Sequence, residues 1–282
     1  MAKIGVTGAT GQLGRLVIKQ LKTKTAAENV VALVRNPGKA IDLGVEVRAF
    51  DYTKPESLGE ALKGIDHLLL ISSSEVGQRK AQHENVIRAA QQAGVSWIVY
   101  TTLLHADTST LSLAGEPLAT EELLKASGIP YTLLRNGWYT ENYTGSVAGA
   151  IAAGAFIGSA GTGKIASAAR VDYAEAAAVV LTDESHRSKV YELAGDEAYT
   201  LADLAAEVSR QTGKDIPYND LPENEYVERL RSLGLPGSLA HAIAGWDASA
   251  AKGDLFDDSH TLSWLIGHPT TPLADTVKVA LG

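Results

Sequence analysis

Three glycines at fixed spacing carry the clearest chemistry in this chain: Gly8, Gly11 and Gly14 in the run Val6-Thr7-Gly8-Ala9-Thr10-Gly11-Gln12-Leu13-Gly14. The run follows an apolar segment, Lys3 to Thr7. It leads into Leu13, Leu16, Val17, Gln20 and Leu21 at helical spacing, so it reads as a strand-to-helix turn. In such a turn the first glycine permits the bend, the second lets a diphosphate approach the backbone, and the third lets the helix pack on the strand. Unpaired amides and the positive end of the helix dipole then face the anion. The predicted chemistry is capture of a dinucleotide; an ordinary tight turn is the competing reading, and the flanking elements weigh against it.

Other residues fit the same ligand. At the end of the second apolar run stands Leu33-Val34-Arg35-Asn36, where an NAD site commonly places an acid for the ribose hydroxyls. Arg35 offers instead a guanidinium fork for a 2′-phosphate, which predicts NADPH as cofactor with NADH as the second choice. A solvated arginine at a strand end is the alternative. Asp51 reads as a contact for the adenine amine or, equally, as a turn-forming aspartate. Ser72 and Ser73 close the fourth apolar run, where a cofactor would cross the sheet edge, or are plain strand-end hydroxyls.

The elements that must position these residues are six apolar runs: Lys3 to Thr7, Val30 to Val34, Val45 to Ala49, His67 to Ser72, Trp97 to Thr101 and Tyr131 to Leu134. They alternate with amphipathic segments, the pattern of an α/β fold with a doubly wound parallel sheet, an NAD(P)-binding Rossmann core. Thr53-Lys54-Pro55-Glu56 fits a capping box, and Gly94 is placed to stop a helix over 79–93. After Arg135 the rhythm changes to a Gly/Ala-rich stretch, one clear strand at Val190 to Leu193, and mostly helical patterns. This predicts a core domain over 1–135 and a smaller, mostly helical substrate-side region over 136–282, interleaved with the core across a soft boundary.

Composition narrows the function. The 282 residues include no cysteine, which excludes disulfides, thiolate metal sites and a cysteine nucleophile. The seven histidines are scattered without paired spacing, so no metal site is expected. A formal charge of −8 disfavours nucleic acid as a partner. No apolar stretch approaches the roughly 20 residues of a membrane helix, and Met1-Ala2-Lys3 has no signal-peptide layout, so a cytoplasmic protein without a membrane partner is expected. The sequence leaves a homo-oligomer open.

Four segments carry a family resemblance: 7–14, Val34-Arg35-Asn36-Pro37, Leu70-Ile71-Ser72-Ser73-Ser74-Glu75, and Thr132-Leu133-Leu134-Arg135-Asn136-Gly137-Trp138-Tyr139. Together they resemble the atypical short-chain dehydrogenases of the NmrA-like group. Nearly the full length, including Gly163-Lys164-Ile165-Ala166 and 265–271, is similar to its branch of bacterial type 2 NADPH:quinone oxidoreductases. The resemblance implies NADPH held by Gly8, Thr10, Gly11, Gln12, Leu13 and Arg35, with a quinone near the nicotinamide. Triphenylmethane-dye reductases look similar too, and some NmrA-like proteins bind NADP without turnover and act as redox sensors.

Ordinary short-chain dehydrogenases use a Tyr and a Lys four residues apart to protonate a developing alkoxide. No tyrosine here has lysine at that distance; the corresponding helix holds Pro117 and Glu121. A quinone tolerates this, because its reduced form delocalises the charge. Thr101 and Thr102 stand near the usual serine position, to donate to a carbonyl or to satisfy local backbone. His105 is a candidate proton or hydrogen-bond donor, or a solvated loop histidine. Asn136, Trp138 and Tyr139 are placed to wall a flat acceptor, or to pack. Gly158 to Lys164 nearly spells a triphosphate loop, but Ile165 replaces the required Ser/Thr, so the segment reads as a flexible flap with Lys164 at its end. His83-Glu84 reads as a solvated helix face and Asp172 as a helix cap.

Overall fold

The computed structural model describes residues 2–282. Strands β1 (Ile4–Thr7), β2 (Val30–Val34), β3 (Glu46–Ala49), β4 (His67–Ile71), β5 (Trp97–Leu103), β6 (Tyr131–Asn136), β7 (Phe156–Gly158), β8 (Val190–Leu193) and β9 (Tyr218–Asp220) alternate with helices. The helices are α1 (Gln12–Lys24), α2 (Pro55–Ala61), α3 (Arg79–Ala93), α4 (Gly115–Ser127), α5 (Glu141–Thr144), α6 (Val147–Ala153), α7 (Arg170–Thr182), α8 (Leu201–Thr212), α9 (Glu223–Ser232), α10 (Gly237–Ala250), α11 (Thr261–Ile266) and α12 (Leu273–Leu281).

The main sheet is seven-stranded, in the order β3-β2-β1-β4-β5-β6-β8. The doubly wound parallel sheet expected from the sequence is present, with one strand more than the six read there. The seventh, β8, runs parallel to β6: Leu133 N–H donates to Lys189 O and Gly137 N–H to Leu193 O. Every residue of β2 and β5 is buried, as a parallel sheet covered on both faces requires. Strand order reverses between β1 and β4, the switch point at which open sheets of this class bind ligands.

The chain divides into two compact units: Met1–Asp107 with Leu113–Asn136 and Arg170–Glu192, and Thr108–Ser112 with Gly137–Ala169 and Leu193–Gly282. Helix α7 packs against α1 and β8 extends the sheet, which draws 170–192 into the first unit. In the second unit β7 pairs in parallel with β9, α9 packs on α10, and α12 packs on α6 and α8. Among the described residues no helix is long and apolar enough to cross a membrane.

Several local expectations are corrected. Thr53 does not cap α2: Lys54 holds the N-cap position without a side-chain bond, and Thr53 Oγ1 donates to Asp51 Oδ1. Asp172 is not a cap either, because α7 starts two residues earlier, at Arg170, and Asp172 is buried in its first turn. The helix stop at Gly94 is as expected, with φ +76°. Strands β5 and β6 each run two residues past their apolar runs, to Leu103 and Asn136, which places Thr102 and Asn136 inside the sheet.

Candidate active site

The turn after β1 has the form its glycines predict. Gly8 sits at φ +58°, a conformation that other residues adopt only under strain, and Gly11 N–H donates to Gly8 O at 2.8 Å. Gly11 is the N-cap of α1, with no side-chain cap and no acid in the first turn. The first helical bond outside the turn is Arg15 N–H to Gly11 O. The preceding amides, of Gln12, Leu13 and Gly14, therefore point beyond the helix start, available to an anion. A Cβ on Gly14 would fall 2.7 Å from Ala9 Cα and against the Gly8 carbonyl. Thr10 is partly exposed beside the exposed Gly11 and Gln12, while Leu13 is anchored in the core.

Tyr52, which the sequence reading passed over, braces this turn together with Thr7 and Ile71. Thr7 Oγ1 accepts from Ile71 N–H at 2.9 Å and lies 2.5 Å from the Tyr52 hydroxyl, which also reaches Ile71 O at 3.0 Å. Burial raises the Tyr52 phenol well above its ordinary pKa, so it stays protonated and able to donate. The ends of β1 and β4, either side of the switch point, are thereby locked to one another.

At the end of β2, Arg35 is largely exposed and its Nη1 donates to Glu75 Oε1 at 2.8 Å. Asp51 Oδ1 is taken by the amide and hydroxyl of Thr53, an Asx turn, and those bonds hold its carboxyl below the usual range. Ser72 N–H donates to Thr101 Oγ1 at 3.0 Å, so buried Thr101 supports the loop after β4. Ser73 N–H donates to His83 Nε2 at 3.0 Å, and Arg79 Nε to Ser73 O at 2.6 Å.

His83 is fully buried, which corrects its reading as a solvated helix face. Because Nε2 accepts from Ser73, the proton sits on Nδ1, 2.9 Å from Thr120 Oγ1, and that hydroxyl donates onward to Glu116 O. Burial depresses the His83 pKa to about 3, with nearby Arg79 adding to the effect. The unfolded chain takes up this proton below about pH 6.5 and the folded one does not, so this contribution to stability is full above that pH and is lost as pH falls toward 3. Between pH 6 and 5 the native chain is expected to lose roughly 1 kcal/mol relative to His83→Gln. Asp247, raised to about 6 by burial, works in the opposite direction but equally in both proteins. Urea unfolding at pH 7, 6 and 5 checks this; parallel pH profiles would contradict it.

Beyond β5 lies an ion cluster whose assembly depends on tertiary structure. Arg135, buried on β6, donates from Nη2 to Glu121 Oε2 at 2.7 Å, and from Nη1 to Glu192 Oε1 at 2.8 Å and Asp107 Oδ1 at 3.0 Å. Burial opposes its charge, but the carboxylates outweigh burial and hold it protonated more firmly than usual. Thr102 Oγ1 donates to Glu121 Oε1 at 2.7 Å, so this candidate hydroxyl is committed to the carboxylate and not offered to an acceptor. His105 has a left-handed backbone, φ +51°, and its amide donates to Glu192 Oε2 at 2.8 Å. Asn136 is buried and its Oδ1 has no protein partner among the described residues.

In the second unit, Trp138 is buried edge-to-face against Trp246, with ring centroids 5.6 Å apart. Tyr139 bridges to Ala168. The glycine-rich segment before Lys164 is not a free flap: Ser159 N–H donates to Asp247 Oδ2 at 3.0 Å, Gly161 N–H to Asp220 Oδ1 at 2.8 Å, and Gly163 lies against the Ala250 backbone. Lys164 itself is exposed. Among the described residues no group of His, Asp and Glu could hold a metal ion.

The chain is similar to known proteins over nearly its whole length. The NAD(P)H-binding family matches residues 8–184. Quinone oxidoreductase 2 of Escherichia coli is 57% identical over 278 residues, 98% of this chain and 97% of that protein. The crystal structure of an NADPH-dependent quinone oxidoreductase of Escherichia coli with NADPH superposes with a TM-score of 0.97 at 56% identity, covering 99% of this chain and 100% of that one. The triphenylmethane reductase of Citrobacter sp. with NADP(H) gives 0.94 at 41% identity, over 98% and 99% of the two chains.

Proposed function

The chain belongs to the NAD(P)H-binding family, and on that premise we propose that it is an NADPH-dependent reductase of quinones or similarly planar aromatic acceptors. One observation carries the choice of acceptor. On α4, where a short-chain dehydrogenase presents Tyr and Lys to an alcohol, this chain holds Glu121 in a buried ion pair with Arg135. That helix therefore presents no Tyr and Lys to protonate a localised alkoxide, and the site suits an acceptor whose reduced form spreads its charge over a ring. The full-length likeness to quinone oxidoreductase 2 points the same way.

When bound, NADPH supplies the hydride. The chain's own residues then bind and orient. The amides of Gln12, Leu13 and Gly14, with Gly8, Thr10 and Gly11 shaping the bend, receive the diphosphate. Arg35 receives the 2′-phosphate, while Ser72, Ser73, Thr101 and Asp51 shape the loops after β4 and β3. His105 is the candidate hydrogen-bond donor to the reduced acceptor's oxygen, held in place through Glu192. Fixing two carbons in contact can by itself lower a barrier by roughly 7–11 kcal/mol, so no further catalytic group is required. The same reading places the protein in the cytoplasm, acting on small molecules. A second acceptor class, cationic triarylmethane dyes, is favoured by the 41% identity to triphenylmethane reductase and by the excess of carboxylates around Arg135.

The test is NADPH oxidation against a panel of benzoquinones, dyes and simple ketones. Turnover above the uncatalysed rate with quinones or dyes but not ketones is expected. NADPH binding without turnover on any acceptor would identify a redox sensor and overturn the reading. Arg35→Ala is expected to weaken NADPH about 10- to 100-fold and NADH less than about threefold, because it removes charge-assisted bonds to a group that only NADPH carries. Equal losses in fluorescence titrations would refute the phosphate role of Arg35.

A further inference from the structure

The guanidinium assigned above to the 2′-phosphate already has a carboxylate on it; that carboxylate has a second side-chain partner, and its own backbone is tied down. Glu75 Oε1 accepts from Arg35 Nη1 at 2.8 Å, its Oε2 accepts from Gln82 Nε2 at 2.7 Å, and its own amide donates to Ser73 Oγ at 3.2 Å. Gln82 is buried, and its Oε1 has no partner among the described residues. A buried amide oxygen left unpaired is unfavourable. In this orientation Gln82 turns its NH2 group, and not that oxygen, toward Glu75, so the buried residue is committed to presenting the carboxylate. Ser73 is in turn fixed by His83 and Arg79.

We propose that Glu75 is a specificity-determining residue that sets how strongly the site prefers NADPH over NADH. This rests on the reading of Arg35 as the 2′-phosphate ligand. Where NAD sites put an acid at the end of β2 to accept the ribose hydroxyls, this chain has Arg35 there and brings an acid to the same guanidinium from the loop after β4. The doubly charged phosphate must share Arg35 with Glu75 or displace it, and meets its negative charge either way. A cofactor bearing a 2′-hydroxyl has no such conflict, and its hydroxyl can donate to the carboxylate. Glu75 thus opposes one cofactor and accommodates the other, which keeps NADH usable at a site built around an arginine.

The experiment is a set of fluorescence titrations of NADPH and NADH into the native chain, Glu75→Gln and Arg35→Ala. Glu75→Gln keeps the size of the side chain and one acceptor oxygen but removes the charge. The ratio of NADPH to NADH affinity is expected to rise about threefold to tenfold, through tighter NADPH and equal or weaker NADH, and the gain in NADPH affinity should shrink as salt is raised from 50 to 500 mM. An unchanged or lower ratio in Glu75→Gln would overturn the proposal. If at the same time Arg35→Ala still loses NADPH selectively, the reading of Arg35 stands and Glu75 alone is acquitted; if Arg35→Ala weakens both cofactors equally, the underlying reading fails as well.

Discussion

Gly14→Ala is expected to reduce NADPH affinity about 100-fold or more, a larger loss than alanine at either of the other turn glycines. The added methyl would lie 2.7 Å from Ala9 Cα and closer still to the Gly8 carbonyl, so its neighbours are backbone and cannot rotate away. The first turn of α1 must move, and with it the amides that receive the diphosphate. Each amide bond to a charged group contributes on the order of 1.5–3 kcal/mol, so misaligning two is enough for the predicted loss. At Gly8 a methyl would meet nothing nearer than 3.7 Å, and the cost is the left-handed backbone, about 1–2 kcal/mol of stability. At Gly11 the nearest atom is the Gly8 carbonyl at 3.2 Å, which a few tenths of an ångström would relieve. Affinity should therefore fall most for Gly14→Ala, and NADPH titrations of the three variants check that order. A Gly14→Ala chain that binds as well as Gly11→Ala would show that the close approach of helix to strand does not govern the site.

The second large effect falls on stability. Arg135→Met is expected to destabilise the fold by about 3–5 kcal/mol, the usual result of removing one partner from a buried ion pair. Glu121 would keep a buried charge without its counter-ion, and Glu192 and Asp107 would lose the guanidinium between them. Glu121→Gln should cost less, since the amide oxygen can still accept from Thr102, and should leave quinone turnover within a few-fold. Denaturant unfolding separates the two variants. A loss under about 1 kcal/mol in Arg135→Met would place the cluster with surface pairs, which contribute little. A collapse of turnover in folded Glu121→Gln would give Glu121 a chemical part that the account denies it.

What could be read from the sequence tracks how local each signal is. The glycine turn and its flanking runs lie within about 20 consecutive residues, so strand, bend and helix were all legible, as was the αL stop at Gly94. The parallel sheet followed from alternation alone. Long-range pairings left no such mark. β8 has the composition of any short strand, and only its pairing with β6 puts it in the main sheet. His83 has an ordinary helical neighbourhood, and nothing local shows that its ring accepts the Ser73 amide on one side and meets Thr120 on the other. The Arg135 cluster draws on Asp107, Glu121 and Glu192, from three separate segments. A cue for it did exist: charged residues at the end of an otherwise apolar run, as in Leu133-Leu134-Arg135, require partners if the strand is buried. The Gly158 to Lys164 segment misled in the other direction, because glycine content suggested mobility while the acids that anchor it, Asp220 and Asp247, lie 59 and 88 residues on from the amides they hold.

A calorimetric titration of NADPH into the native chain and Gly14→Ala, side by side in the same buffer, bears most directly on the claim that the amides after β1 hold the cofactor. The account predicts saturable heat with one NADPH per chain for the native protein and no measurable saturation for the variant under the same conditions. Saturation of equal strength in both, or in neither, would contradict it.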